Sequence, residues 1–328
     1  MIKVVSAIPK WRFDRFQIQI PSTWQTTFIE EGYSQAQLVE VCSGADYLLV
    51  GSAGHPVLAE AINAFSSIKM IHVEGVGFNE VDVVAAAKRG IPVCNNRAVN
   101  NGAVAEHTIG LILAALRRTC VVDRQIKQKQ YETCKNEFSK QGEHELAGLH
   151  VGLVGIGAIG REVVKRLSNW GCKISYYDAF PLSPEEEEKL QVNYMELEEL
   201  FKTCDIISLH VPATSSTCGM ISQKQLSQMK PSAILVNTAR GELVDQAALA
   251  HALESNKISA AALDTIYPEP PSENHPLLSL SSKASNKLIL TPHIGGVTDE
   301  AFRRMLQGTV QNVQRMEAGD LPINIVNS

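Results

Sequence analysis

Val151-Gly152-Leu153-Val154-Gly155-Ile156-Gly157-Ala158-Ile159-Gly160 is an apolar run that turns through G-x-G-x-x-G and continues as a helical pattern to Ser168. Each glycine answers a chemical need. Gly155 permits the tight turn, Gly157 lets backbone approach a pyrophosphate, and Gly160 lets the helix pack closely on the strand. The first N–H groups of the helix, around Ala158 and Ile159, then face the phosphates. Such a turn alone is weak evidence, but Tyr176-Tyr177-Asp178 closes the next apolar run. Asp178 stands 18 residues past Gly160, where a carboxylate takes the ribose hydroxyls of a dinucleotide. A flavin fits the same turn, although flavin sites usually sit at the start of a chain.

Working outward, strands are expected at residues 150–154, 173–177, 205–209, 233–237, 259–263 and 288–290, with helices between most of them, for example 159–168 and 245–254. Asp245 suits the N-cap of the last of these. Six such strands make a doubly wound sheet. Upstream, 47–51, 68–73 and 91–94 read as strands and 57–65 and 81–88 as helices, a β/α alternation that implies a second parallel sheet. Residues 268–285, rich in Pro and Ser, read as a loop near the ligand edge.

The chain has 328 residues, 45% of them hydrophobic, which suits two domains. Its net charge is -5 and its pI about 6.0, and no Lys/Arg stripe invites nucleic acid or anionic lipid. The acidic run Glu185–Glu188 reads as a solvated helix face. The start, MIKVVSAIPK, reads as a first strand and not as a secretory leader. The apolar segment 104–116 contains Glu106 and His107 and falls short of the roughly 20 residues that a membrane span needs. Seven cysteines with no CxxC (42, 94, 120, 134, 172, 204 and 218) point to reduced thiols in a cytoplasmic protein, with no disulfide framework and no metal site.

Three further motifs fall at the carboxyl ends of expected strands, where open α/β sheets bind ligands. They are Asn237-Thr238-Ala239-Arg240-Gly241, Asp264-Thr265-Ile266-Tyr267-Pro268-Glu269-Pro270 and Thr291-Pro292-His293. An arginine, a carboxylate and a histidine after consecutive strands of one nucleotide-binding sheet form a catalytic set. A guanidinium matches a carboxylate with two parallel hydrogen bonds. A histidine titrates near working pH and can protonate an alkoxide as a hydride arrives, and a neighbouring Glu269 favours the imidazolium.

With Val104-Ala105-Glu106-His107-Thr108, these motifs resemble the D-isomer-specific 2-hydroxyacid dehydrogenases, from about Ala45 to the C-terminus. The resemblance implies two doubly wound α/β domains. One is a flavodoxin-like substrate domain of residues 1–100 and 296–328, and the other is a Rossmann NAD-binding domain of residues 101–295 inserted into it. It further implies hydride transfer between NAD(H) and a small D-2-hydroxy or 2-oxo acid. Arg240 would grip the substrate carboxylate and carbonyl, His293 would be the general acid/base, and Glu269 would orient it. Val76 and Gly77 would offer backbone N–H groups to the carboxylate, with Asn100 nearby. The cofactor would meet Thr108, Gly155, Gly157, Ala158, Ile159, Gly160, Asp178, His210, Val211, Pro212, Thr217, Thr238, Ala239, Asp264 and Gly296, with Asp264 bonding the carboxamide. The helix 104–118 would help form a homodimer, and the last helix, about 299–317, would return to the substrate domain.

Two stretches depart from the family pattern. Its usual N-T-P-G-x-N is here Asn95-Asn96-Arg97-Ala98-Val99-Asn100, and its usual G-F-D-N is Gly77-Phe78-Asn79-Glu80. The side-chain pocket is expected at Ser52-Ala53-Gly54-His55 and around Arg97, so the departures bear on which acid is used. Two other functions share these motifs. One is a non-enzymatic NAD-sensing co-repressor-like protein, excluded by NADH consumption with any 2-oxo acid. The other is a formate- or phosphite-type dehydrogenase, separated by testing those two hydride donors.

Overall fold

Apolar runs bounded by polar turns become parallel strands throughout the computed structural model, which describes residues 1–30, 32–51 and 56–327. The chain divides into two units, Met1–Asn100 with Val297–Ser328, and Asn101–Gly296. In the first unit the strands are β1 (Ile2–Ser6), β2 (Trp24–Phe28), β3 (Tyr47–Val50), β4 (Met70–Val73) and β5 (Val93–Cys94), in sheet order β2-β1-β3-β4-β5. That is the flavodoxin-like order. The second unit holds β6 (His150–Val154), β7 (Lys173–Tyr177), β8 (Asn193–Tyr194), β9 (Ile206–Leu209), β10 (Ile234–Asn237), β11 (Ala260–Leu263) and β12 (Leu288–Leu290). Their order, β12-β11-β10-β9-β6-β7-β8, is the doubly wound one.

The six-strand expectation for the second sheet thus gains a seventh member. β8 is two residues long and pairs with β7 at the sheet's edge. No apolar periodicity can mark so short an element. In the first unit, β2 and the helix Lys10–Arg15 fall before Ala45, outside the stretch that carries the family resemblance.

The central strands are buried on both faces, as parallel sheets require. Successive residues feed two cores. Ile234 and Val236 of β10 join Val151, Leu153 and Ile206 on one face, while Leu235 joins Val154, Ile207 and Leu209 on the other. Helix Asn101–Leu116 carries Ala105, Ile109 and Ile112 into the first of these cores. No helix among the described residues is long and apolar enough to cross a membrane. The expected helix starting at Asp245 begins with that residue as N-cap, its carboxylate accepting from the N–H groups of Ala247 and Ala248.

The acidic run is only partly a solvated face. In the helix Pro184–Leu190, Glu186 pairs with Arg161 at 2.9 Å and Glu187 accepts from the buried Tyr176 hydroxyl at 2.6 Å. That hydroxyl also accepts from the N–H of Leu182, which fixes the chain just after Asp178.

Candidate active site

The glycine-rich turn leaves β6 and opens the helix Ala158–Leu167 with Gly157 at the N-cap and no side-chain cap. The first-turn N–H groups therefore lack intrahelical partners. Gly155 has φ +103°, and a Cβ there would lie 2.7 Å from the carbonyl of His210. At Gly160 a Cβ would lie 2.4 Å from the oxygen of Gly155, whereas at Gly157 it would meet nothing within 4 Å. Two glycines are thus required by the protein's own packing, and the third leaves open space where a pyrophosphate would approach. Asp178 accepts from the N–H of Ile156 at 2.8 Å and from that of Phe180 at 2.9 Å, one bond to each oxygen. A lone pair on each oxygen stays available for ribose hydroxyls. The residues present fit a dinucleotide.

Most of the other expected cofactor residues follow β9 and β10, and Thr108 lies in the middle of helix Asn101–Leu116. Val211 packs beside Gly155. Thr217 donates to Pro212 O at 2.6 Å and closes the turn after β9. His210 shares its Nε2 with Ser208 Oγ at 2.9 Å, and burial lowers its pKa to about 4, so the ring is neutral. Thr108 and Thr238 share a hydrogen bond of 2.8 Å between their hydroxyls, and Thr108 also donates to Val104 O.

Arg240 follows β10 in a turn built by Asn237. The Asn237 amide donates to Arg240 O at 2.8 Å and accepts from the N–H of Ala239 at 3.0 Å. Arg240 is half-buried, with Nη1 donating to Ala239 O. A Cβ on Gly241 would meet the backbone of Ile266 at 2.4 Å, so the Arg240 turn lies directly on the chain that leads to Glu269. That chain is also held by buried His275. Its Nε2 meets Tyr267 O at 3.0 Å, and its Nδ1 accepts from the N–H of Leu277 at 3.3 Å.

The structure brings Glu269 and His293 together. Both carboxylate oxygens stand 3.1 Å from His293 Nδ1. The side chains are 45% and 42% exposed, and no described residue bonds to Nε2. His293 sits at φ 55°, a region that non-glycine residues seldom occupy. Its N–H holds the turn by donating to Asp264 O at 2.7 Å.

Asp264 organises that same loop. Its carboxylate accepts from Thr291 Oγ1 at 2.5 Å, Ile294 N at 2.9 Å and Gly295 N at 2.8 Å, with His107 Nε2 at 3.3 Å. Burial pushes its pKa up, but the bonds from His107, Thr291, Ile294 and Gly295 outweigh burial and hold it below the usual carboxylate range. Nearly all its acceptor capacity is used within the protein. Gly296 ends the loop at the unit's boundary.

Val76, Gly77 and Asn100 belong to the first unit. Val76 and Gly77 follow the carboxyl end of β4, and Asn100 ends the stretch that follows β5. The pocket expected at Ser52-Ala53-Gly54-His55 lies outside the described residues. His107, Asn237 and Thr291 stand inside the quoted motifs, but the sequence assigned them no role, and His275 stands in no motif. Asn237 and Thr291 were legible as polar residues at strand ends. His107 and His275 act through contacts with residues distant in sequence or with backbone, so their roles leave no local pattern to read.

A doubly wound unit with this cradle and an Arg–Glu–His set at its strand ends defines a nucleotide-dependent oxidoreductase. Residues 109–295 match the NAD-binding domain of D-isomer specific 2-hydroxyacid dehydrogenases. The chain is 39% identical to the glyoxylate reductase of Thermofilum pendens over 269 residues, 82% of this chain and 78% of the relative. It is 39% identical to the hydroxypyruvate reductase of Thermotoga maritima over 277 residues, 84% and 86% of the two chains. The D-lactate dehydrogenase of Aquifex aeolicus, solved with NAD and lactic acid, superposes with a TM-score of 0.83 at 28% identity, covering 99% of each chain. The chain belongs to the D-isomer-specific 2-hydroxyacid dehydrogenase family, and its cofactor is NAD.

Proposed function

We propose that the protein reduces short 2-oxo acids, of the size of glyoxylate and hydroxypyruvate, with NADH as hydride donor. The observation that carries the chemistry is the Glu269–His293 pair: both carboxylate oxygens lie 3.1 Å from Nδ1. With Nδ1 engaged, Nε2 is the ring nitrogen left to pass a proton. The substrate size rests on the names of the two relatives at 39% identity.

In this reading each unit carries its own element for receiving an anion. Arg240 offers a planar fork to the substrate carboxylate and polarises the 2-oxo carbonyl. The loop through Val76 and Gly77 offers backbone N–H donors. NADH supplies the hydride. His293 Nε2 donates a proton to the oxygen that becomes the hydroxyl, and Glu269 balances the imidazolium until that proton leaves. Asp264 fixes the backbone on which His293 rides, a role supported by its bonds to Ile294 and Gly295. The protein works as a homodimer, with the helix Asn101–Leu116 and its surroundings as the shared face.

A panel of 2-oxo acids with NADH tests this, spanning glyoxylate, hydroxypyruvate, pyruvate and branched, aromatic and phosphorylated members. The reading expects the highest kcat/KM among the two- and three-carbon acids. A preference for branched or aromatic acids overturns the size, and turnover with none overturns the activity. NADH should be preferred over NADPH, because Asp178 accepts from ribose hydroxyls and would repel a 2′-phosphate. Repulsion of about 2 kcal/mol would give roughly thirtyfold. Equal efficiencies with the two cofactors would remove Asp178 from that role.

A further inference from the structure

The loop after β4 has its two edges in different states. On one edge, three successive carbonyls are taken by a single dipeptide. Glu74 O accepts from Asn96 Nδ2 at 2.7 Å, Gly75 O from Asn96 N at 3.0 Å, and Val76 O from Asn95 Nδ2 at 2.6 Å. In a trans peptide the N–H of the next residue points opposite to the carbonyl. The N–H groups of Gly75, Val76 and Gly77 are therefore turned away from Asn95 and Asn96. None of the three donates to any described residue. Three neighbouring backbone N–H groups turned to one side offer an anion three adjacent donors.

Asn96 is locked from behind. It is 3% exposed, and its Nδ2 also reaches Met305 O at 2.9 Å and Thr309 Oγ1 at 3.1 Å on the last helix, Asp299–Glu317. Glycine at 308 makes room for it, since a Cβ there would stand 2.2 Å from Asn96 Oδ1. The family pattern has threonine at this position, a side chain with one donor and no second arm. Asn96 bonds in two directions at once, to the loop and to the helix.

We propose that Asn96, seated against Gly308, is a positioning residue for substrate binding: it holds the carbonyls of Glu74 and Gly75 so that the opposite N–H edge of residues 75–77 is aimed at the substrate carboxylate. The proposal rests on the reading of that loop as a carboxylate receiver. It makes Gly308, on a helix that supplies no residue of the Arg–Glu–His set, a determinant of KM.

The test uses the full chain with NADH and glyoxylate. In Asn96→Ala, KM for glyoxylate should rise about tenfold or more while kcat changes less than about threefold, since uniform binding is what is removed. The Kd for NADH, read by fluorescence, should be unchanged. Asn96→Thr, which restores one donor, should fall between Asn96→Ala and wild type. Gly308→Ala should reproduce the KM rise with Asn96 intact. If Asn96→Ala does not fold, Gly308→Ala and Asn96→Thr decide. A lower melting temperature with unmoved KM in folded Gly308→Ala and Asn96→Thr overturns the proposal and leaves Asn96 a purely structural residue. Comparing glyoxylate with its neutral amide, glyoxylamide, in the wild type tests the underlying reading separately. A wild type that does not discriminate between them overturns that reading and the proposal together. Discrimination with unmoved variants overturns the proposal alone.

Discussion

Two carboxylate–histidine pairs stand in the nucleotide-binding unit, one between two loops and one between a loop and the helix Asn101–Leu116, and their surroundings differ sharply. Glu269 and His293 are 45% and 42% exposed and meet at Nδ1. Asp264 is 2% and His107 23% exposed, and the aspartate is further bonded by a hydroxyl and two backbone N–H groups. The same two chemical groups therefore do different things. Where acceptors are spent on backbone, the carboxylate is a clamp whose protonation would release a loop. Where the pair is half exposed and no described residue bonds to Nε2, a proton can be gained and lost without breaking the fold.

The largest expected effect breaks this comparison if it fails. His293→Gln should lower turnover by about 10²–10⁴-fold with NADH affinity retained, because the general acid is gone. His107→Gln should lower turnover less than about tenfold and show mainly as a lower melting temperature, in the range of a lost buried hydrogen bond. Equal losses of turnover would mean that the buried pair also takes part in proton transfer. A smaller effect, roughly 10–100-fold in kcat, is expected for Glu269→Gln. Unchanged kcat in that variant would deny Glu269 its role in orienting His293.

How far these pairs were legible in the sequence depended on how local their signals are. Glu269 and His293 stand in short motifs at strand ends, and the 3.1 Å contact joins them as the motifs imply. Asp264 was also visible, but as a partner for the carboxamide. Its bonds to residues 294 and 295 could not be read, because they run from a side chain to backbone about thirty positions away. The fold was legible for the same reason that the glycine turn was. β6, β7 and β12 start and end where their runs in the sequence predict, whereas Asn193–Tyr194 forms a strand only because β7 is beside it. The loop at Glu74–Gly77 was read for its N–H groups, but the amides that aim it lie twenty residues on, in the very stretch that departs from the family pattern.

Asp264→Asn sharpens the comparison through stability. The new amide sets a donor against backbone N–H groups, and the cost should be about 1–3 kcal/mol at neutral pH. Asp264 has its folded pKa held below the ordinary range. Its contribution is therefore present above the unfolded carboxylate value, ~3.9, and lost as pH falls through the folded value. The gap in unfolding free energy between wild type and variant should be full at pH 7 and shrink below about pH 4. A gap that stays constant into acid would mean the charge of Asp264 contributes nothing beyond shape.

The last effect concerns a histidine buried with no carboxylate partner among the described residues, the limit toward which the comparison points. His72 lies in β4, 1% exposed, and burial lowers its pKa to about 3. Between the ordinary value of 6.5 and about 3, the unfolded chain takes up a proton that the folded one refuses. Stability must therefore fall as pH falls through that window, by up to about 1.4 kcal/mol per pH unit from this one group. Its neighbour Glu74 works in the opposite sense. Burial raises its carboxyl against the pull of Arg12, so acid favours its folded form. The net slope of the wild type mixes the two, along with His210, but the difference between wild type and His72→Gln isolates the histidine. At pH 7 the substitution should change stability by a fixed packing offset. From pH 6 to 4 the variant should lose stability less steeply than wild type by about that slope. Parallel curves would show that His72 accepts its proton while folded, and that burial alone does not keep a histidine neutral in this sheet.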